Sequence, residues 1–176
     1  METNDKFLNI DLNDLVHRIK NTDERYACLS KNLQIVYWVL VPIYLALIIR
    51  DMIANSPIAD IAGSFCFLLG MIIFAFLFNS YHKEYKSVDY AQPTLIMLKK
   101  AVRRYQPLHH KLWIAIVAIV LINAGLSLRS TFADFVQIQI VFWSMMIVAV
   151  IAGLLWWKVR YKPLRDETLR MIREIE

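Results

Sequence analysis

Residues 135–157 read FVQIQIVFWSMMIVAVIAGLLWW, 23 positions with no aspartate, glutamate, lysine or arginine. At the α-helical rise of about 1.5 Å per residue this run is about 35 Å long, enough to cross a hydrocarbon core of about 30 Å. Apolar side chains fall on every face of the helix, so no rotation turns a polar stripe to water. Three further blocks, 33–49, 58–78 and 112–128, have the same character, and Asp60 near the start of the second is the one charged residue among them. The first and third blocks have 17 residues, about 25 Å of helix, and are slightly short. Arg50 and Arg129 follow them directly, and their stems lengthen the effective span by lying along the apolar zone while the guanidinium reaches water. The fold class is therefore all-α: a polytopic membrane protein with four transmembrane helices, in keeping with a composition that is 58% hydrophobic.

Orientation follows from the basic residues. Segment 1–32 holds five lysines and arginines, 79–111 holds seven and 158–176 holds six, whereas the turns 50–57 and 129–134 hold one each. Basic residues concentrate on the cytoplasmic side of a membrane, and an even number of spans returns the chain to the side it left. Both termini and the 79–111 segment are thus expected in the cytoplasm, with the protein in the cell (inner or plasma) membrane. The organisation is an N-terminal arm (1–32), a first transmembrane hairpin (33–78), a basic arm (79–111), a second hairpin (112–157) and a C-terminal helix (158–176). Tyr37, Trp38, Tyr81, Trp113, Trp156 and Trp157 fall near the cytoplasmic ends of the spans, where amphipathic rings favour the interface.

A shift of 79 positions superposes Lys20 on Lys99, Arg25-Tyr26 on Arg104-Tyr105, Leu33 on Leu112 and Arg50 on Arg129. A shift of 74 pairs Ala59-Asp60 with Ala133-Asp134, and 94–99 with 168–173. Two tandem hairpins that start on the same side form a parallel pseudo-repeat, which predicts a four-helix bundle about an axis along the membrane normal. Ala62, Gly63, Gly70, Ala124, Gly125, Ala149 and Gly153 are the small residues available for close helix packing.

The arms read as amphipathic helices. Leu12, Leu15, Val16 and Ile19 share a face that Tyr26 continues, with Asn9 or Asp11 as N-cap. In the middle arm Pro93 suits the first turn, Leu95, Leu98, Val102 and Tyr105 form the stripe, and Pro107 ends it. A third helix begins after Pro163 and aligns Leu164, Thr168, Met171 and Ile175. Such stripes pack on one another, lie in the lipid interface or dock on a partner. The middle arm is net +5 while the first is net −1, so Lys99, Lys100, Arg103 and Arg104 are the candidate contacts to anionic lipid or to a partner protein. The basic run carries no nucleic-acid-binding motif, and no nucleic-acid partner is expected.

Catalytic, cofactor and metal signatures are not found. His17, His82, His109 and His110 contain no i, i+4 pair; Gly63-Ser64 has no histidine within a span to activate the hydroxyl; Glu84 and Asp89 alone do not make a metal-binding carboxylate cluster. Cys28 and Cys66 are expected to stay reduced. Within the spans Asn123 is the deepest polar group and superposes on Tyr44 in the repeat, which makes this pair the candidate intramembrane polar contact through an interhelical hydrogen bond. Pro42 is placed to kink the first span, and Arg50 with Asp51 or Asp60, and Arg129 with Asp134, to form rim ion pairs at the turns. The function expected is that of a non-enzymatic adaptor or regulator whose cytoplasmic arms bind a partner protein or anionic lipid, with homo-oligomers allowed. The alternative is a small channel or transporter with a path through the four-helix bundle.

Overall fold

The computed structural model of the protein describes residues 2–90, 94–106, 111–129 and 135–175, of which 2–11 and 135 are described by their backbone alone. All regular structure among them is helical: α1 (Glu2–Ile53), α2 (Ile58–Lys86), α3 (Thr94–Arg104), α4 (Lys111–Leu128), α5 (Phe135–Trp156), a π-helical segment (Trp157–Tyr161) and α6 (Lys162–Ile175). Four helices are long and apolar enough to span a membrane.

The spans run on into the arms without interruption. With 52 residues α1 is about 78 Å long, so only part of it fits a hydrocarbon core and the rest projects as the first arm. The helix already runs from Glu2, which makes Asn9 and Asp11 interior positions and not caps, and it passes through Pro42 without ending. The third arm likewise does not restart after Pro163: α5, the π segment and α6 follow one another directly. A proline inside a helix lacks an N–H and presses its ring on the carbonyl four residues back, here Val159. The wider π turn spanning Trp157–Tyr161 contains that carbonyl and makes room for the ring. Pro93, Pro107, His109, His110 and Asp134 lie outside the described residues.

Helix α2 sits between α1 and α4. A tight turn joins α1 to α2, in which the Ala54 N–H donates to the Arg50 carbonyl and the Ser56 N–H to that of Asp51. Asn55 takes a positive φ of 49° there, a conformation asparagine tolerates better than most residues. Glycines bring α2 onto α4. A Cβ on Gly63 would lie 2.9 Å from the Gly125 carbonyl oxygen, and one on Gly125 would lie 2.8 Å from that of Gly63. Gly70 is as tight against Ile122.

Helix α5 departs from the closed four-helix bundle that the repeat suggests. None of its described side chains is buried, and a Cβ on Gly153 would meet nothing within 4 Å. At its turn end Gln139 donates to the Ser127 hydroxyl of α4 at 3.1 Å, and beyond its other end Trp157 donates to the Tyr105 carbonyl at 2.9 Å. The physical reason is that lipid chains solvate an all-round apolar helix as well as leucine side chains do, so nothing drives α5 into protein contact.

At the end opposite the Ala54–Ser56 turn, called here the arm end, α3 packs on α6 and both close over the start of α1. The core holds Leu15 and Ile19 from α1, Leu98 and Ala101 from α3, and Leu164, Met171 and Ile172 from α6. Burying a leucine or isoleucine side chain contributes about 1.5–3 kcal/mol, which is what holds three short arms together. Arg18 adds an exposed 3.0 Å ion pair with Glu167 across α1 and α6.

Candidate functional site

The apolar stripe of α1 contains one acid. Asp23 lies four positions after Ile19 and three before Tyr26, so it faces the arm core with them, and it is wholly inaccessible. Three donors converge on its carboxylate: the Tyr105 hydroxyl on Oδ1 at 2.8 Å, and the Tyr90 hydroxyl and Arg104 Nη2 on Oδ2, each at 2.8 Å. Burial pushes the Asp23 carboxyl up, while Arg104 and the two hydroxyls pull it back down. Burial likewise lifts the Tyr90 and Tyr105 hydroxyls well above the ordinary phenol range, with the Asp23 charge acting in the same direction. Both phenols therefore stay protonated and remain donors.

Aromatic rings surround this node. Tyr26 lies 4.8 Å from Tyr85 and 5.3 Å from Tyr161 between ring centroids, and Tyr105 lies 5.9 Å from Tyr161. Such pairs contribute about 0.5–1.5 kcal/mol beyond their burial. The node draws on α1, the segment after α2, and the end of α3, so it registers whether all of them are in place.

Next to it, a cleft of about 530 Å³ opens between the end of α2, α3 and the start of α4. Ser80, Glu84, Ser87 and Asp89 line one side; Lys100, Arg103 and Arg104 of α3 and Lys111 of α4 bring the positive charge. Lys111 is 8% exposed, pairs with Glu84, and holds its ammonium 4.7 Å from the centre of the Tyr81 ring. Arg104 has a second donor, Nε, that is buried with no hydrogen-bond partner.

The four basic residues singled out in the sequence thus separate. Arg104 is committed to Asp23, Lys100 and Arg103 line the cleft, and Lys99 is exposed outside its lining. Asp23, Tyr90, Glu84 and Lys111 complete the site without having stood out in sequence. The signal for Asp23 was present, an acid at an apolar position of a helical stripe. The pairing of Glu84 with Lys111 joins two helices across the middle arm, and no local pattern reports it.

The second candidate pair is not joined by a hydrogen bond. Tyr44 stacks on Phe67 with centroids 5.5 Å apart, while the Asn123 Oδ1 is buried without a partner. Among the described residues no interhelical hydrogen bond is formed at that oxygen. At the turn end, Asp51 accepts from Arg129 at 3.4 Å, from Arg50 at 2.8 Å and from Ser64 at 3.1 Å, while the expected partner Asp134 lies outside the described residues. This node ties α1, α2 and α4 together, and Asp51 is buried where an exposed rim pair was expected.

Among the described residues no group of three or more histidine, cysteine, aspartate or glutamate side chains is placed to hold a metal ion. Cys28 is exposed and Cys66 half-buried, both as free thiols. No protein-family model, curated protein or solved structure matches this chain.

Proposed function

We propose that the protein is a non-enzymatic adaptor or regulator of the cell membrane, with both termini cytoplasmic and the arms forming its interacting surface. The positive-inside bias supports that orientation, and the repeated basic segment before each hairpin supports a parallel tandem origin for the two halves. The observation that carries the reading is the fate of the arms. Their apolar stripes are used up in one buried core, and Asp23 locks three segments of chain to one another. A cytoplasmic domain so built presents a charged face and a cleft with Lys100 and Arg103 in its wall, suited to an anionic partner, while the helices serve as anchor.

The test is capture from native membranes in a mild detergent, beside the variant K99Q/K100Q/R103Q. Arg104 is left intact, because its removal would strip Asp23 of its counter-charge and confound binding with folding. A cytoplasmic protein or an anionic lipid that copurifies with the native chain and is lost with the variant is the expected result. Identical copurification by both chains, or capture of nothing but further copies of the chain itself, would refute the reading.

A further inference from the structure

The arm cleft does not end at the membrane. Ser80 and Lys111, which line it, also line a second depression of about 330 Å³ whose other walls are Ile73, Phe76, Leu77 and Ile114. The first compartment holds four basic side chains against Glu84 and Asp89, and the second is almost wholly apolar, running down the α2–α4 seam into the spans. Phe76 and Ile114 are 58% and 44% exposed, and in a membrane their neighbour is an acyl chain. Two compartments that meet at a serine and a lysine, one cationic at the interface and one apolar beneath it, match an amphiphile in charge, depth and polarity.

We infer that this paired cleft and groove is a binding site for a membrane phospholipid with an anionic headgroup. Lys100, Arg103 and Lys111 face the phosphate and headgroup charge, and one acyl chain lies along Ile73, Phe76 and Ile114. Guanidinium forks and ammonium groups suit phosphate oxygens. Arg104, whose Nε is buried without a partner, also lines the cleft. Glu84 holds Lys111 at the junction, so the ammonium stands where headgroup and chain meet. The inference rests on the adaptor reading for its view that the cationic arm face is the working surface, and it names the ligand class.

Native mass spectrometry of the detergent-purified chain tests it, with phosphatidylglycerol, phosphatidylcholine and inorganic phosphate added separately and in competition. The variants are K100Q/R103Q for the cleft and Ile114→Trp for the groove, each checked by thermal unfolding. The native chain should retain phosphatidylglycerol over phosphatidylcholine. K100Q/R103Q should lose about 30-fold in affinity, two charges at about 1 kcal/mol each, and Ile114→Trp should release the lipid with the cleft intact. Equal retention of both lipids, or unchanged retention in either folded variant, would overturn the site. Displacement of the lipid by equimolar inorganic phosphate would show that free phosphate, and no acyl chain, is what the cleft reads. Should Ile114→Trp fail to fold, a dihexanoyl phosphatidylglycerol that binds the native chain no better than inorganic phosphate does would refute the groove by itself. A captured protein that needs Lys100 and Arg103 while no lipid binds would end this inference and leave the adaptor reading standing; bound lipid with no captured partner would uphold the site and narrow that reading to lipid alone.

Discussion

Asp23 is the residue on which the arm end depends. A carboxylate taken out of water is tolerated only with good geometry and full hydrogen bonding, and here Arg104, Tyr90 and Tyr105 supply it. Arg104→Ala removes the one full positive charge from that set and should destabilise the detergent-solubilised protein by about 3–5 kcal/mol at neutral pH. The pH dependence gives the mechanism away. Burial already raises the Asp23 carboxyl and Arg104 opposes it; without Arg104 the folded value rises further above the unfolded one. A carboxyl with a raised folded value is compatible with the fold while it is protonated, and stability falls as pH climbs through that value. The deficit of Arg104→Ala against the native chain should therefore be smallest at acidic pH and widen toward neutrality, measured as thermal unfolding by tryptophan fluorescence. A deficit independent of pH would mean that Arg104 acts through packing alone. In sequence, Asp23 is one of six acids in the first arm. Its position in the stripe between Ile19 and Tyr26 was readable, but its partners come from residues 90, 104 and 105, whose approach depends on how the whole chain folds.

At the scale of elements, the apolar blocks announced the spans because length and the lack of charge are local properties. The joins between spans and arms were not legible, since an amphipathic helix and an apolar one share the 3.6-residue period and differ only in which faces are wet. Pro163 read as a break and is instead absorbed by the π turn ahead of it. The small residues showed the same ambiguity. Gly63, Gly70 and Gly125 lie at the α2–α4 contact, while Gly153 faces open space, although all four sit in similar apolar surroundings in sequence. Gly125→Leu would place a Cβ 2.8 Å from the Gly63 carbonyl oxygen and 3.0 Å from the Phe67 ring. It should lower stability in detergent by about 1–3 kcal/mol, the usual cost of overpacking. Gly153→Leu meets no such neighbour and should leave the unfolding midpoint where it was. Equal damage from both substitutions would show that α5 has a packing partner, and that the stand-off of this helix is not its state in solution.

For the molecule as a whole, polarity is divided between two ends. Asp51 gathers Arg50, Ser64 and Arg129 at the turn end, and Asp23 gathers Tyr90, Arg104 and Tyr105 at the arm end. A buried acid thus fixes the helices at each level, and the described polar side chains between them are few. If the four apolar helices cross a membrane, the two ends lie on opposite sides of it, and the orientation proposed from the basic residues of the arms has that end in the cytoplasm. Native cysteines make this measurable. Cys28 is exposed on the arm side, and Cys66 lies within α2. With Cys66→Ala in place, a membrane-impermeant maleimide should leave Cys28 unmodified in intact cells and modify it once the membrane is permeabilised. Asn55→Cys, introduced at the α1–α2 turn of a chain carrying Cys28→Ala and Cys66→Ala, should react in intact cells. Asn55 takes a positive φ that a cysteine adopts less readily, so Ser56→Cys in the same turn serves as a second reporter. If the Cys28 and turn positions react from the same side, the first helix does not span; if they react from opposite sides in the reverse sense, the spans stand and the arm domain, with its cleft, faces outward.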